Sequence, residues 1–124
     1  MVVYCCQDLI FATKIRSTAE SLGVTTRPVR DATMLENRFD RIDDGKPHDP
    51  VTALMVDLDT GQEGLALLEQ AKRHDPNLPV VAFGAHVATE LLQAARDRGA
   101  DFVLPRSAFT ARLPELLRRF GGRE

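Results

Sequence analysis

The chain has 124 residues, a formal net charge of −2 and 44% hydrophobic residues, and these values exclude several classes of protein. The length is typical of a single domain, which we assign to residues 1–124. A near-average apolar fraction and a small net charge exclude a disordered chain, and the slightly acidic balance disfavours nucleic-acid binding through bulk charge. No apolar run approaches the roughly 18–20 residues of a membrane span, and no basic segment precedes an apolar one as in a signal peptide. We therefore expect a cytoplasmic protein with no membrane contact.

The two cysteines, Cys5 and Cys6, are adjacent in sequence. Neighbouring residues on a strand point to opposite faces of a sheet, and a disulfide between them would be strained. We therefore expect two reduced and largely buried thiols, because a free cysteine packs as a small hydrophobic residue.

Strand and helix patterns alternate along the whole chain. Short apolar runs predict strands over residues 2–6, 24–29, 51–58, 78–83 and 102–104. Apolar residues at helical spacing predict helices over residues 9–22, from 32 to about 42, from 65 to about 74, from 88 to 98, and a last one extending to Phe120. Five such units in strict alternation predict an α/β fold, with a parallel sheet between two layers of helices.

Capping residues and prolines refine the predicted boundaries. Asp8 and Asp31 are typical N-caps of the first and second helices. The second helix includes Ile42 in this prediction and is followed by a loop over residues 43–50. Residues 105–107 are predicted as a turn before the last helix. Pro114 is compatible with that helix only in its first turn.

Polar residues gather where the predicted strands end. Because the carboxyl ends of parallel strands collect ligands in α/β sheets, this edge is the candidate site. Its members are Gln7, Asp8, Asp57, Asp59, Gly84, His86, Arg106 and Ser107. Two interpretations remain open: a capped and solvated edge, or a polar pocket in which Arg106 forms a salt bridge with Asp57 and takes the place of a metal or phosphoryl group.

Three segments and the order of the units resemble the receiver domain of response regulators. The segments are Gly64-Leu65-Ala66-Leu67-Leu68 at a helix start, Leu78-Pro79-Val80-Val81, and Gly99-Ala100-Asp101. The resemblance covers nearly the whole chain and implies a flavodoxin-like three-layer sandwich with strand order 2-1-3-4-5. It also implies a role in a two-component system or phosphorelay, with Asp57 as the phosphoacceptor at the end of the third strand.

The sequence departs from the chemistry that this resemblance implies. The two positions of the magnesium-binding acid pair hold Cys6 and Gln7, and Asp8 comes one residue late. Gly84 stands where the family has Thr or Ser, so no hydroxyl is available there. Arg106 stands at the position of the family's lysine and retains its charge, although a planar guanidinium is not a compact ammonium. Ser107 follows in place of the family's proline.

Three functions remain after these departures. The first is a divergent pseudo-receiver, not an enzyme and without a cofactor, which acts in signal transduction by contact with a protein partner or as a homodimer. The second is a phosphoacceptor that uses Asp57 with an atypical Mg²⁺ site formed by Asp8, Asp57 and Asp59. The third is an enzyme or a sensor of a small ligand at the sheet edge, using Asp57, His86 and Arg106. We favour the first.

Other candidate motifs are not specific. His48, His74 and His86 are scattered and lack the spacing of a zinc site. The last helix has a basic outer face, which is typical of a solvated helix end and gives little support for binding nucleic acid. That face comprises Arg112, Arg118, Arg119 and Arg123.

Overall fold

The structure is a computed structural model that describes residues 1–40, 42–43, 46–47 and 49–121. Its strands are β1 (Val2–Cys5), β2 (Thr26–Pro28), β3 (Ile42–Asp43), β4 (Lys46–Pro47), β5 (Ala53–Asp57), β6 (Val80–Gly84) and β7 (Phe102–Pro105). Its α-helices are α1 (Leu9–Ser21), α2 (Ala32–Phe39), α3 (Gln62–His74), α4 (Thr89–Asp97) and α5 (Arg106–Phe120), and a 3₁₀ turn (Leu58–Thr60) follows β5. Within these residues, no helix combines the length and apolarity needed to cross a membrane.

Five parallel strands form the main sheet in the order β2-β1-β5-β6-β7. Numbered within this sheet, the order is 2-1-3-4-5, which confirms the predicted α/β architecture and the flavodoxin-like topology. A separate antiparallel pair joins β3 to β4, with Ile42 opposite Pro47. The prediction of a plain loop is therefore wrong at these residues, while His48 lies outside the described part of the chain.

The sheet is covered by helices on both faces, so the protein has two apolar cores. The first core contains alternate residues of the central strands, such as Leu54 and Val56, and residues of α2, α3 and α4. The second contains the remaining strand residues, including Met55 and Phe83, together with α1 and α5. Cys5 lies in the first core and Cys6 packs against the second, which confirms that the two thiols face opposite sides of the sheet.

The second helix is shorter than predicted. α2 ends at Phe39, and Ile42 belongs to β3. The ring of Phe39 stacks on the imidazole of His74 at the end of α3, with ring centroids 3.9 Å apart. This contact packs the last turn of α2 against α3. Tertiary contacts of this kind outweigh the apolar spacing that predicted a longer helix.

Pro114 lies inside α5, not in its first turn. The helix begins at Arg106 directly after β7, so the predicted turn over residues 105–107 is wrong. Proline removes the hydrogen bond that residue 114 would make to the carbonyl of Thr110. The buried side chains of Phe109 and Leu113 pack against the sheet on this helix, and their burial offsets the lost bond.

Candidate functional site

The candidate site is centred on an ion pair between the end of β5 and the residue that follows β7, two strands that β6 separates. Asp57 is the last residue of β5 and is 1% exposed. Arg106 is the first residue of α5, directly after β7. Its Nη2 donates to both carboxylate oxygens of Asp57, at 3.1 Å to Oδ1 and 3.0 Å to Oδ2. The predicted salt bridge between these residues is therefore present.

The carboxylate of Asp57 has two further hydrogen-bond donors. The backbone N–H of Asp59 donates to Oδ1 at 2.9 Å, because the 3₁₀ turn folds back over the end of β5. The thiol of Cys6 donates to Oδ2 at 3.4 Å from the end of β1. Both oxygens are thus already bound by groups of the chain itself, which is how a buried charge is stabilised.

Arg106 brings three acids together. Besides Asp57, its Nη2 forms an ion pair with Asp59, and its Nη1 lies 3.6 Å from Oδ2 of Asp8. The side chain of Arg106 is 26% exposed, whereas those of Asp8 and Asp59 are 47% and 50% exposed. The formal charge of the four groups is −2. One guanidinium is therefore shared by a buried acid and two acids at the surface.

Asp8 has a second role that fixes its position. Its Oδ1 accepts hydrogen bonds from the N–H groups of Ile10 and Phe11, at 3.0 and 3.1 Å, and thereby caps α1. The predicted cap is confirmed. Because one oxygen is held by the helix N-terminus, the other is oriented toward Arg106.

An aromatic ring lies against the guanidinium, and the sequence interpretation missed it. The Cζ atom of Arg106 is 4.8 Å from the ring centroid of Phe11. Phe11 in turn packs on Phe83 and Phe109, with centroids 5.3 and 5.8 Å apart. Residues three apart lie on one face of a helix, and Phe11 follows the cap residue Asp8 by three. This spacing could have indicated that the ring of Phe11 lies near the site. The stack limits the positions that Arg106 can adopt.

The thiol of Cys6 is held in its neutral form. Burial raises its pKa, and the negative charge of Asp57 raises it further, to about 12. Burial likewise raises the pKa of Cys5 to about 11. A thiol with such a pKa is a hydrogen-bond donor and a poor nucleophile at neutral pH.

The other predicted site residues lie at the same edge but outside this cluster. Gln7, His86 and Ser107 are exposed, and no described residue forms a side-chain hydrogen bond with any of them. Gly84 is buried at the end of β6, where a Cβ atom would lie 3.3 Å from that of Leu58. The edge thus consists of a connected charged cluster and a separate set of solvated residues.

The two histidines that the structure describes, His74 and His86, lie on different elements. His74 stacks on Phe39 far along α3, and His86 follows β6. Among the residues that the structure describes, no group of three or more His, Cys, Asp or Glu side chains has the arrangement of a metal site.

The basic face predicted on the last helix is partly used for packing. Arg112 and Arg119 each lie 5.4 Å from the ring centroid of Phe102. Arg112 also forms an ion pair with Glu115. Arg118 is exposed, and Arg123 lies outside the described residues.

The fold matches solved receiver domains of response regulators. The receiver domain of NtrX from Brucella abortus superposes with a TM-score of 0.75 at 21% identity, over 100% of both chains. A response regulator from Thermotoga maritima gives 0.74 at 16% identity, over 98% of this chain and 97% of that one. A CheY-like receiver domain protein from Methanospirillum hungatei gives 0.74 at 16% identity, over 95% and 90%.

No protein-family model matches the sequence, and no curated protein matches it either. The similarity to receiver domains thus lies in the arrangement of strands and helices, at identities that show the fold alone. The chain has the CheY-like receiver fold, with Asp57 at the end of the central strand and Arg106 at the start of the last helix.

Proposed function

We propose that this chain is a signalling module of receiver fold that acts through contact with a protein partner and has lost Mg²⁺-dependent phosphorylation. In this account it has no catalytic role and needs no cofactor. The observation that carries the proposal is the bonding of Arg106 to both oxygens of the buried Asp57. Either oxygen of this carboxylate would have to give up its hydrogen bond to Arg106 before it could attack a phosphoryl group.

The guanidinium supplies the positive charge that a divalent cation supplies in phosphoryl transfer. A phosphoryl group arriving at a carboxylate requires nearby positive charge, which metal ions and lysine provide. Arg106 places its charge against Asp57, Asp59 and Asp8. Its charge is permanent, because arginine is not deprotonated in proteins. The edge is therefore held in one electrostatic state.

The residues at this edge do not fit a magnesium ion. Mg²⁺ requires close to octahedral coordination by oxygen atoms. Here a thiol, not a carboxylate, lies beside Asp57, and all three acids already contact Arg106. Binding of the ion would require Arg106 to leave a position in which Phe11 and three carboxylates hold it.

A titration with Mg²⁺, followed by backbone NMR shifts, tests the proposal. For the wild-type chain we expect no saturable shift at residues 57–59 at millimolar Mg²⁺. Arg106→Ala is expected to bind Mg²⁺ more tightly, because the acids lose their counter-charge. Arg112→Ala, which removes a positive charge elsewhere on α5, is the matched control and should behave as wild type.

Two results would contradict the proposal. Saturation of the wild-type chain at submillimolar Mg²⁺ would favour the second candidate function, a phosphoacceptor with a metal site formed by Asp8, Asp57 and Asp59. Equal behaviour of wild type and Arg106→Ala would show that Arg106 does not exclude the ion.

A further inference from the structure

The first turn of α1 exposes two large apolar side chains next to each other. Leu9 is 81% exposed and Ile10 is 86% exposed, and we call this pair the α1 patch. Among the residues that the structure describes, only one other large apolar side chain is exposed, that of Val87. Val87 precedes α4, which packs in the first core, whereas α1 packs in the second. The α1 patch is therefore a local feature of one helix end.

The packing of the helix does not account for the α1 patch. Ala12, Ile15 and Ala19 are the side chains of α1 that are buried against the sheet. The first turn of a helix favours acidic residues, because they interact well with the helix dipole, and a β-branched isoleucine is a weaker helix former. Apolar residues scattered singly over a surface are common, whereas a contiguous apolar surface points to a contact with another molecule.

Two half-exposed acids border the α1 patch. The carboxylate of Asp8 accepts a hydrogen bond from the backbone N–H of Ile10 at 3.0 Å, so it lies at the edge of the patch. Arg106 connects Asp8 to Asp59, because both carboxylates form ion pairs with its guanidinium. The same guanidinium also serves Asp57. One positive charge shared by three carboxylates leaves a formal charge of −2 beside the patch.

This negative charge selects the kind of partner that the patch fits. A second copy of the chain would present the same surface across a two-fold axis, so two negatively charged clusters would face each other. Like charges in contact are unfavourable, which disfavours both a homodimer and an acidic partner at this face. A cation at the border of an apolar segment, in contrast, would form charge-assisted hydrogen bonds with Asp8 and Asp59.

We propose that the α1 patch docks a protein partner, and that the partner supplies an apolar segment bordered by lysine or arginine. The apolar side chains of this segment cover Leu9 and Ile10, and its cation bonds to Asp8 and Asp59. The buried Asp57 takes no part in the contact. This inference rests on the proposed function, since it names the surface by which the signalling module contacts its partner.

Three synthetic helical peptides probe the α1 patch by backbone NMR titration at constant ionic strength. The first peptide has a stripe of leucines bordered by lysines. The second has each lysine replaced by glutamate, and the third has each leucine replaced by alanine. We expect only the first to give saturable shifts, at residues 8–14 and 59, because the second lacks the cation and the third lacks the apolar contact.

Variants at exposed positions, which should keep the fold, identify the surface that binds. Leu9→Gln combined with Ile10→Gln should weaken binding of the first peptide about tenfold or more, since two apolar side chains no longer leave water on binding. Asp59→Asn should weaken it about two- to fivefold, as expected for one exposed ion pair. Val87→Gln removes the third exposed apolar side chain and, as the matched control, should leave binding unchanged.

The proposal is overturned if the first peptide gives no saturable shift, or if its shifts map to another surface. Equal binding of the alanine peptide would also overturn it, because that result indicates general attraction to negative charge. So would a Leu9→Gln, Ile10→Gln variant that binds as tightly as wild type. None of these results bears on the Mg²⁺ titration, which tests the proposed function separately.

Discussion

Arg106 donates through a single nitrogen to both carboxylate oxygens of Asp57. Asp57 ends β5 and Arg106 directly follows β7, and β6 lies between these two strands. The acid is buried and the arginine is 26% exposed, so the pair is partly shielded from water. It therefore differs from surface ion pairs, which contribute little.

Removal of Arg106 should destabilise the protein markedly. Arg106→Ala leaves the buried carboxylate of Asp57 without its counter-charge, and we expect a loss of about 2–4 kcal/mol in the free energy of unfolding. Arg112→Ala, which breaks an exposed pair with Glu115, should cost less than about 1 kcal/mol. Denaturant melts of the two variants provide the comparison.

The double variant measures the interaction itself. Asp57→Asn with Arg106→Ala should recover part of the stability that Arg106→Ala loses, because no buried charge is then left alone. We expect a coupling energy of about 1 kcal/mol or more, as for residues in one ion-pair network. Strictly additive effects would show that the two side chains do not stabilise each other.

Cys6 should react slowly with alkylating reagents. Burial first, and Asp57 second, raise its pKa to about 12, so little thiolate is present at pH 9. In a Cys5→Ala background, Asp57→Asn should speed alkylation by iodoacetamide, since it removes a charge that disfavours the thiolate. No change of rate in Asp57→Asn would mean that the carboxylate does not influence the thiol.

The same thiol predicts how stability depends on pH. A thiol with a raised folded-state pKa binds its proton more tightly in the fold than in the unfolded chain. Its contribution is therefore complete below the ordinary value of 9 and is lost as pH rises toward about 12. Cys6→Ala should reduce the alkaline loss of stability, as measured by melts from pH 8 to pH 11 in a buffer series. An unchanged alkaline slope in this variant would contradict the assignment.

Gly84 should tolerate a side chain poorly. An added Cβ would lie 3.3 Å from the Cβ of Leu58, which is fully buried next to Asp57. Gly84→Ala and Gly84→Ser are each expected to cost about 1–2 kcal/mol of stability, because a packed neighbour must move. A stabilising effect of either substitution in denaturant melts would contradict this prediction.

The sequence predicted the features that follow from topology. Alternation of strands and helices gave the parallel sheet, and two strand ends at one edge placed Asp57 near Arg106. Features that depend on tertiary geometry were not predicted: the ring of Phe11 under the guanidinium and the hydrogen bond from the thiol of Cys6 to the carboxylate of Asp57. The start of the last helix was predicted wrongly because proline prefers the first turn of a helix. In α5, packing along the helix outweighs that preference of Pro114.

Treatment with acetyl phosphate in the presence of Mg²⁺, followed by intact-mass spectrometry, tests the central claim most directly. The account predicts no added phosphoryl group on the wild-type chain, because Arg106 holds both oxygens of Asp57 and the acids do not fit the ion. A receiver domain with an intact acid pair, treated in parallel, verifies the reagent. A gain of one phosphoryl group on the wild-type chain, absent from Asp57→Asn, would contradict the account.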